Sequence, residues 1–213
     1  MRGALPLIIT LSVFFLNIDI PLAYDERHLN QIKSLNSCVK CDLSKSDLRK
    51  LKAKEASLMQ ADISGSILAS GDFRSANLVK ANLRNSDMTA TNLSFANLKG
   101  ANLEKSILRY TILKNANLKG AKLRKADLSE ANLAGANLAR TNITKAVLRK
   151  VNMKGANLTG SNFRKSILQG VNLSGANLTR ADFTHSKIEN VWFVDALFCQ
   201  TKMPWGLEAP NCK

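Results

Sequence analysis

The residues best suited to chemistry in this 213-residue chain are few and far apart. Four cysteines stand at Cys38, Cys41, Cys199 and Cys212, and two histidines at His28 and His185. Cys38-Val39-Lys40-Cys41 has the spacing of a redox dithiol, which makes a CxxC redox protein one alternative. No alternation of strand and helix surrounds the motif, so it lacks the setting such chemistry uses. No histidine follows Cys41, which excludes covalent haem attachment through this motif. The two cysteine pairs flank a long repeated region, so one shared zinc site is not expected. Asp62, Asp72, Asp127 and Asp182 occupy one recurring slot rather than a cluster, and no nucleophile–base pair stands out. The expectation is a non-enzyme with no cofactor, no metal and no small-molecule substrate. The cysteines then read as structural: Cys199 and Cys212 are placed to clip a tail over its end of the molecule.

The elements that position these residues come from a period. From Leu43 to Met203 an apolar residue recurs every fifth position, as in Leu78, Leu83, Met88, Leu93 and Leu98. Two residues before each centre stands a small residue (Ala76, Ala81, Ser86, Thr91), and between them Asn or Asp. A period of five fits neither an amphipathic helix nor an alternating strand. It fits a chain that points two residues inward, then turns. Aromatic content is only 6%, so the core is built of Leu and Ala. A single turn of such a chain cannot bury its own core, so stability comes from stacking and both ends need caps.

The unit A-[ND]-L-x-x, unbroken over residues 42–203, resembles the pentapeptide-repeat family. The resemblance implies an all-β chain folded as a right-handed quadrilateral β-helix, with four units or 20 residues per coil and about eight coils. On that geometry, positions 20 apart stack. Asn77, Asn97, Asn117, Asn137, Asn157 and Asn177 would then form a column in which side-chain amides can bond as a ladder.

The same geometry sorts the charge. The chain carries 31 Lys and Arg against 16 Asp and Glu, a net charge of +15. Face 1, centred on Leu58, Leu78, Leu98 and their successors, carries Lys80, Lys99, Lys119, Arg140 and Arg180 outward with no acid. Face 2, centred on Leu43, Ile63, Leu83 and their successors, carries Lys45, Arg84, Lys105, Lys122, Arg124, Lys125, Lys145, Arg164, Lys165 and Lys202 against Asp42, Asp62, Glu104 and Asp182. The other two faces are nearly balanced. A basic side of a rigid rod is an electrostatic footprint for an acidic protein or an anionic surface. Nucleic acid is disfavoured, since few outward aromatics interleave with the cations. Face 3, centred on Leu48, Leu68 and Leu108, has apolar residues in its outward Asn/Asp slot: Ile67, Ile107, Val147 and Ile167. That edge, or one end of the rod, is a candidate homodimer contact.

The ends complete the organisation. Arg2 followed by the apolar stretch Leu5–Leu16 reads as a signal peptide over residues 1–23, cut after Ala23. An uncleaved N-terminus would tether the chain to a membrane instead. Residues 24–41 form an N-terminal cap, where Leu29, Ile32 and Leu35 suggest a short capping helix and Cys38 and Cys41 point inward. The solenoid covers 42–203 and a C-terminal cap tail 204–213, with Phe183, Ile188, Phe193 and Phe198 enlarging the core before it. The two ends, CxxCDL and FCxTxMPxG…C, resemble an exported subgroup of the family found in the bacterial periplasm and the thylakoid lumen. The acid usual before the tail glycine is Trp205 here. The expected location is therefore the periplasm, the extracellular space or the thylakoid lumen, where disulfides persist. The expected role is a scaffolding or protein-binding rod. The family also contains DNA-mimic topoisomerase inhibitors, but those are acidic and cytoplasmic.

Overall fold

The computed structural model describes residues 25–208 and residue 212. The expected signal peptide at 1–23 lies outside the described residues. The chain opens with α1 (Glu26–Leu35), whose N-cap Asp25 accepts the Arg27 N–H at 2.9 Å and whose C-cap Asn36 is left-handed at φ 50°. Ile32 is buried and Leu29 packs on the core, but Leu35 is 69% exposed. The expectation for Leu35 fails for a simple reason. Steps of three residues turn only 300° on a helix, so the third residue of the series drifts off the apolar stripe.

From Cys38 to Met203 the chain winds as a right-handed quadrilateral β-helix. One residue on each side pairs in parallel with the residue 20 positions on, from Ser37↔Ser57 to Asp182↔Lys202. Each side is tied to the next coil by several backbone bonds. Leu98 N–H donates to Asn117 O at 2.7 Å, Asn117 N–H to Ala96 O at 2.9 Å, and Gly100 N–H to Lys119 O at 3.0 Å. On face 3 the pairing lengthens into three short strands, β1 (Val147–Arg149), β2 (Ile167–Gln169) and β3 (Lys187–Glu189), in parallel order β1-β2-β3. The tail closes as an antiparallel hairpin of β4 (Thr201–Met203) and β5 (Gly206–Glu208).

The corners explain the period. Every fifth residue from Lys40 to Gln200 has a positive φ, with values such as 60° at Lys125 and 61° at Glu130. The Asn/Asp slot holds these corners. Its Oδ1 accepts the N–H two residues on, as Asp87 does from Thr89 at 2.9 Å, Asn137 from Ala139 at 3.1 Å and Asn172 from Ser174 at 2.9 Å. The amide ladder expected along Asn77–Asn177 is largely replaced by these bonds. Every amide of the column uses Oδ1 to hold its own corner, and only Asn117 Nδ2 also donates along the column, to Asn97 Oδ1 at 3.3 Å. A carboxylate does this as well as an amide, which is why Asp alternates freely with Asn.

Inside, the small residues and the centres form one apolar column, with Leu83, Leu103, Leu123, Ile143 and Phe163 all fully buried. Ser and Thr at the small position satisfy themselves on carbonyls: Ser86 Oγ donates to Leu83 O at 2.6 Å, Thr111 Oγ1 to Met88 O in the coil below at 2.9 Å. Among the described residues no buried side-chain polar atom lacks a partner. The aromatics expected to enlarge the far end do so unequally. Phe183 is fully buried and stacks on Phe163 at 4.6 Å. Ile188, Phe193 and Phe198 are only half-buried, because no full coil lies beyond them.

Gly71 is a position the sequence did not flag. It stands where the units stacked with it have Leu51, Thr91, Thr111, Ala131 and Val151, and an added Cβ would meet the Phe73 ring at 2.6 Å and Leu68 O at 2.9 Å. In this coil the Phe73 ring and the Leu68 carbonyl together fill the space a Cβ would take. Gly71→Ala is expected to lower stability by about 2 kcal/mol through overpacking. In urea melts, adding Gly71→Ala to a Phe73→Leu background should cost less than adding it to the parent, because the ring contact is gone and only the Leu68 carbonyl remains. An equal cost in both backgrounds would refute this account.

Candidate functional site

The cysteines close two bridges, Cys38–Cys41 and Cys199–Cys212. Cys38 and Cys41 are both buried beneath α1. His28, also on α1, accepts the Asp42 N–H through Nδ1 at 3.1 Å, which ties the helix to the first coil. The CxxC sulfurs are thus part of a packed cap. Cys199–Cys212 joins the last coil to the tail beyond β5.

A surface groove of about 610 Å³, open to solvent, follows the corner after face 3 and is lined by Tyr110, Glu130, Arg149, Lys150 and Gly170 among others. Many of its polar groups engage one another. Tyr110 Oη lies 3.3 Å from Glu130 Oε1, Arg109 pairs with Asp127 at 2.5 Å, and Gln169 donates to Glu189 at 3.1 Å. Burial pushes the Asp127 carboxyl up, but the Ser129 hydroxyl and N–H and the Arg109 guanidinium outweigh it, and the net shift is down.

The basic residues of faces 1 and 2 lie at the surface. Lys80, Arg84, Lys99, Lys119, Lys122, Lys125, Arg140, Lys145, Arg164, Lys165 and Arg180 are exposed, and Arg124 is half-buried. Their distribution of partners was not readable from the sequence. On faces 1 and 2, Arg84 reaches Glu104 at 3.9 Å and Arg164 reaches Asp182 at 3.5 Å. Among the described residues none of the others on these faces has an acid within ion-pair range. The remaining ion pairs of the solenoid, Arg49–Asp47, Lys54–Glu55, Arg74–Asp72, Arg109–Asp127 and Lys187–Glu189, lie on the other two faces. There Arg49 holds the Asp47 carboxyl down to about 2. So the acids neutralise one flank and leave the other positive. Lys105, Lys125, Lys145 and Lys165 occupy successive copies of one left-handed corner, with φ 58–60°.

The apolar edge of face 3 is less continuous than its four members suggest. In the stack, Ile67 lies between Asp47 and Asp87, and Ile107 between Asp87 and Asp127. Only Val147 and Ile167 pair directly. The carboxylates break the strip, which bars a broad apolar contact there.

A square coil of inward small–Leu pairs with Asx-held corners defines a β-solenoid of five-residue units, with surface chemistry carried only by its outward residues. The chain belongs to the pentapeptide-repeat family: the family's sequence profile, described as pentapeptide repeats, matches in 8 copies over residues 56–94, 68–104, 86–124, 126–164 and 156–193. Comparison with curated proteins gives no match. Among solved structures the chain is similar to HetL, a pentapeptide-repeat protein involved in heterocyst differentiation regulation from the cyanobacterium Nostoc sp. strain PCC 7120. The two are 29% identical over 81% of this chain and 87% of that one, with a TM-score of 0.35. It is also similar to QnrB1, a plasmid-mediated fluoroquinolone resistance protein, at 22% identity over 73% of this chain and 79% of that one, with a TM-score of 0.55. A pentapeptide-repeat protein of the Arabidopsis thaliana thylakoid lumen is 25% identical over 68% of each chain, with a TM-score of 0.18. The QnrB1 likeness supports the fold alone.

Proposed function

We propose that this chain is a non-enzymatic, exported rod that binds an anionic partner through the flank formed by faces 1 and 2. The observation that carries the reading is an unequal distribution of charge: faces 1 and 2 carry fifteen cations against four acids, and among the described residues only Arg84 and Arg164 there have an acidic partner, whereas five ion pairs lie on the other two faces. Export is supported by the Arg2–Leu16 pattern and by two disulfides, which persist in oxidising compartments. A role as a duplex-DNA mimic meets an electrostatic objection, since a net charge of +15 is opposite in sign to the molecule it would imitate.

The test is recovery of partners from the protein's own compartment by crosslinking and pull-down at low and high salt. Partner recovery should fall steeply as salt rises, because exposed charges more than about 8 Å apart are screened at physiological ionic strength. Recovery unchanged by salt would remove the basic flank from the mechanism.

A further inference from the structure

Face 2 is bordered by two basic edges. The edge shared with face 1 carries Lys80, Lys99, Lys119, Arg140 and Arg180, and the edge shared with face 3 carries Lys105, Lys125, Lys145 and Lys165. Between them runs a floor of Asn82, Asn102, Lys122, Asn142 and Asn162, each in register with its neighbour 20 residues on. Each side contributes about three extended residues, so the edges stand roughly 10 Å apart; Lys105, Lys125, Lys145 and Lys165 repeat at the coil spacing of about 4.8 Å, and the other edge skips one coil between Arg140 and Arg180. The strip is flat because every coil repeats the same corner. From Lys80 to Arg180, no large hydrophobic residue is exposed on face 2 or on either edge.

We infer that face 2 lies flat against an anionic lipid headgroup layer. This rests on the reading of the basic flank as the binding surface, and it names the partner. The shape decides between polyanions. A linear polymer follows one edge and leaves the other uncompensated. A duplex is convex and meets a flat face along a single line. A planar array of anions engages both edges at once. Cations spaced closer than the Debye length, about 8 Å at physiological salt, act on such a plane as one field. Each contributes on the order of 1 kcal/mol near an anionic membrane surface. With no exposed aromatic or aliphatic group on the strip to enter the acyl region, the contact is peripheral and reversible by salt.

The experiment is co-sedimentation of the purified protein with phosphatidylcholine vesicles, with and without phosphatidylglycerol, at low and high salt. Two charge-matched variants are compared. One carries Lys105→Glu, Lys125→Glu, Lys145→Glu and Lys165→Glu. The other carries Lys50→Glu, Lys114→Glu, Lys150→Glu and Lys154→Glu on the remaining faces. Glutamate already occupies the equivalent left-handed position at other corners, Glu55 and Glu130, with φ 62° and 61°, so the first variant keeps its backbone. A cooperative melt like the parent's confirms folding in each. The parent should bind phosphatidylglycerol vesicles in low salt only. The edge variant should lose at least about a hundredfold in partitioning, and the control no more than about threefold. Equal losses in both variants, or equal binding to neutral vesicles, would overturn the inference. So would tighter, edge-dependent binding of dextran sulfate or duplex DNA than of vesicles. If vesicles do not bind while partner recovery stays salt-dependent, the lipid inference falls and the basic-flank reading stands.

Discussion

Phe163→Ala is expected to destabilise the rod by about 4 kcal/mol, near the top of the range for a single core truncation. Phe163 is fully buried, and its ring stacks on Phe183 at 4.6 Å. In most cores a cavity of this size shrinks as neighbours lean in. Here the neighbours above and below, Ile143 and Phe183, are held at coil spacing by their own backbone ladders: Ile143 N–H to Asn162 O at 2.8 Å, Phe163 N–H to Asp182 O at 2.7 Å and Phe183 N–H to Lys202 O at 2.7 Å. The site cannot collapse without breaking those bonds, so both the transfer and the cavity contributions are retained. A stacked array couples mainly to nearest neighbours. The loss should therefore be local as well as large. Amide exchange should accelerate first from Ile143 to Met203, while the coils around Phe73 and Leu78 stay protected. Phe163→Leu, which leaves a smaller void, should cost less than about 2 kcal/mol. A loss under about 1 kcal/mol for Phe163→Ala in urea titration, or uniform exchange along the rod, would show that the core is more plastic than its ladder implies.

This behaviour follows from what the sequence makes plain. The phase of Leu43 to Met203 fixes which residues face in, and every centre before the last coil is buried as that phase requires, from Leu43 to Phe183. The sorting of Lys119 and Lys125 to one flank follows from the same count of 20. What the period does not carry is pairwise geometry. The Asn column predicted rungs between coils, yet the regular bond is the one from the backbone N–H two residues on, which the same corner presents to Oδ1 at a fixed distance. The need for Gly71 depends on how the Phe73 ring and the Leu68 carbonyl of the preceding unit are placed, which residue types alone do not show. The pairing of Arg109 with Asp127 runs between coils 18 residues apart, and only the stack shows that such pairs gather on one flank. The half-burial of Phe193 and Phe198 reflects the end of the stack, where neighbour burial runs out whatever the residue type.

Removing the Cys199–Cys212 bridge by Cys199→Ser and Cys212→Ser should cost about 3 kcal/mol, from the entropy of closing a loop of roughly 14 residues. The cost falls on the least protected part of the rod. Beyond Phe183 the core residues Ile188, Val191, Phe193 and Phe198 are half-buried, and the chain is held there by the β4–β5 hairpin and by Thr201 Oγ1 donating to Leu178 O at 2.8 Å. Without the bridge the hairpin and last coil should open together, exposing Phe193 and Phe198 beside the already exposed Trp192 and Val194. Rapid proteolysis after residue 187 and concentration-dependent association should follow, with the coils before Leu168 intact. The other bridge behaves differently. Cys38–Cys41 closes a far shorter loop, and both cysteines are sealed under α1, so a reductant reaches them only after the cap opens. Titration with reductant and trapping of thiols should therefore release Cys199 and Cys212 first, with Cys38 and Cys41 appearing only near global unfolding. Early, selective reduction of Cys38–Cys41 in the folded protein would contradict its placement as packing and restore the dithiol as a working redox group.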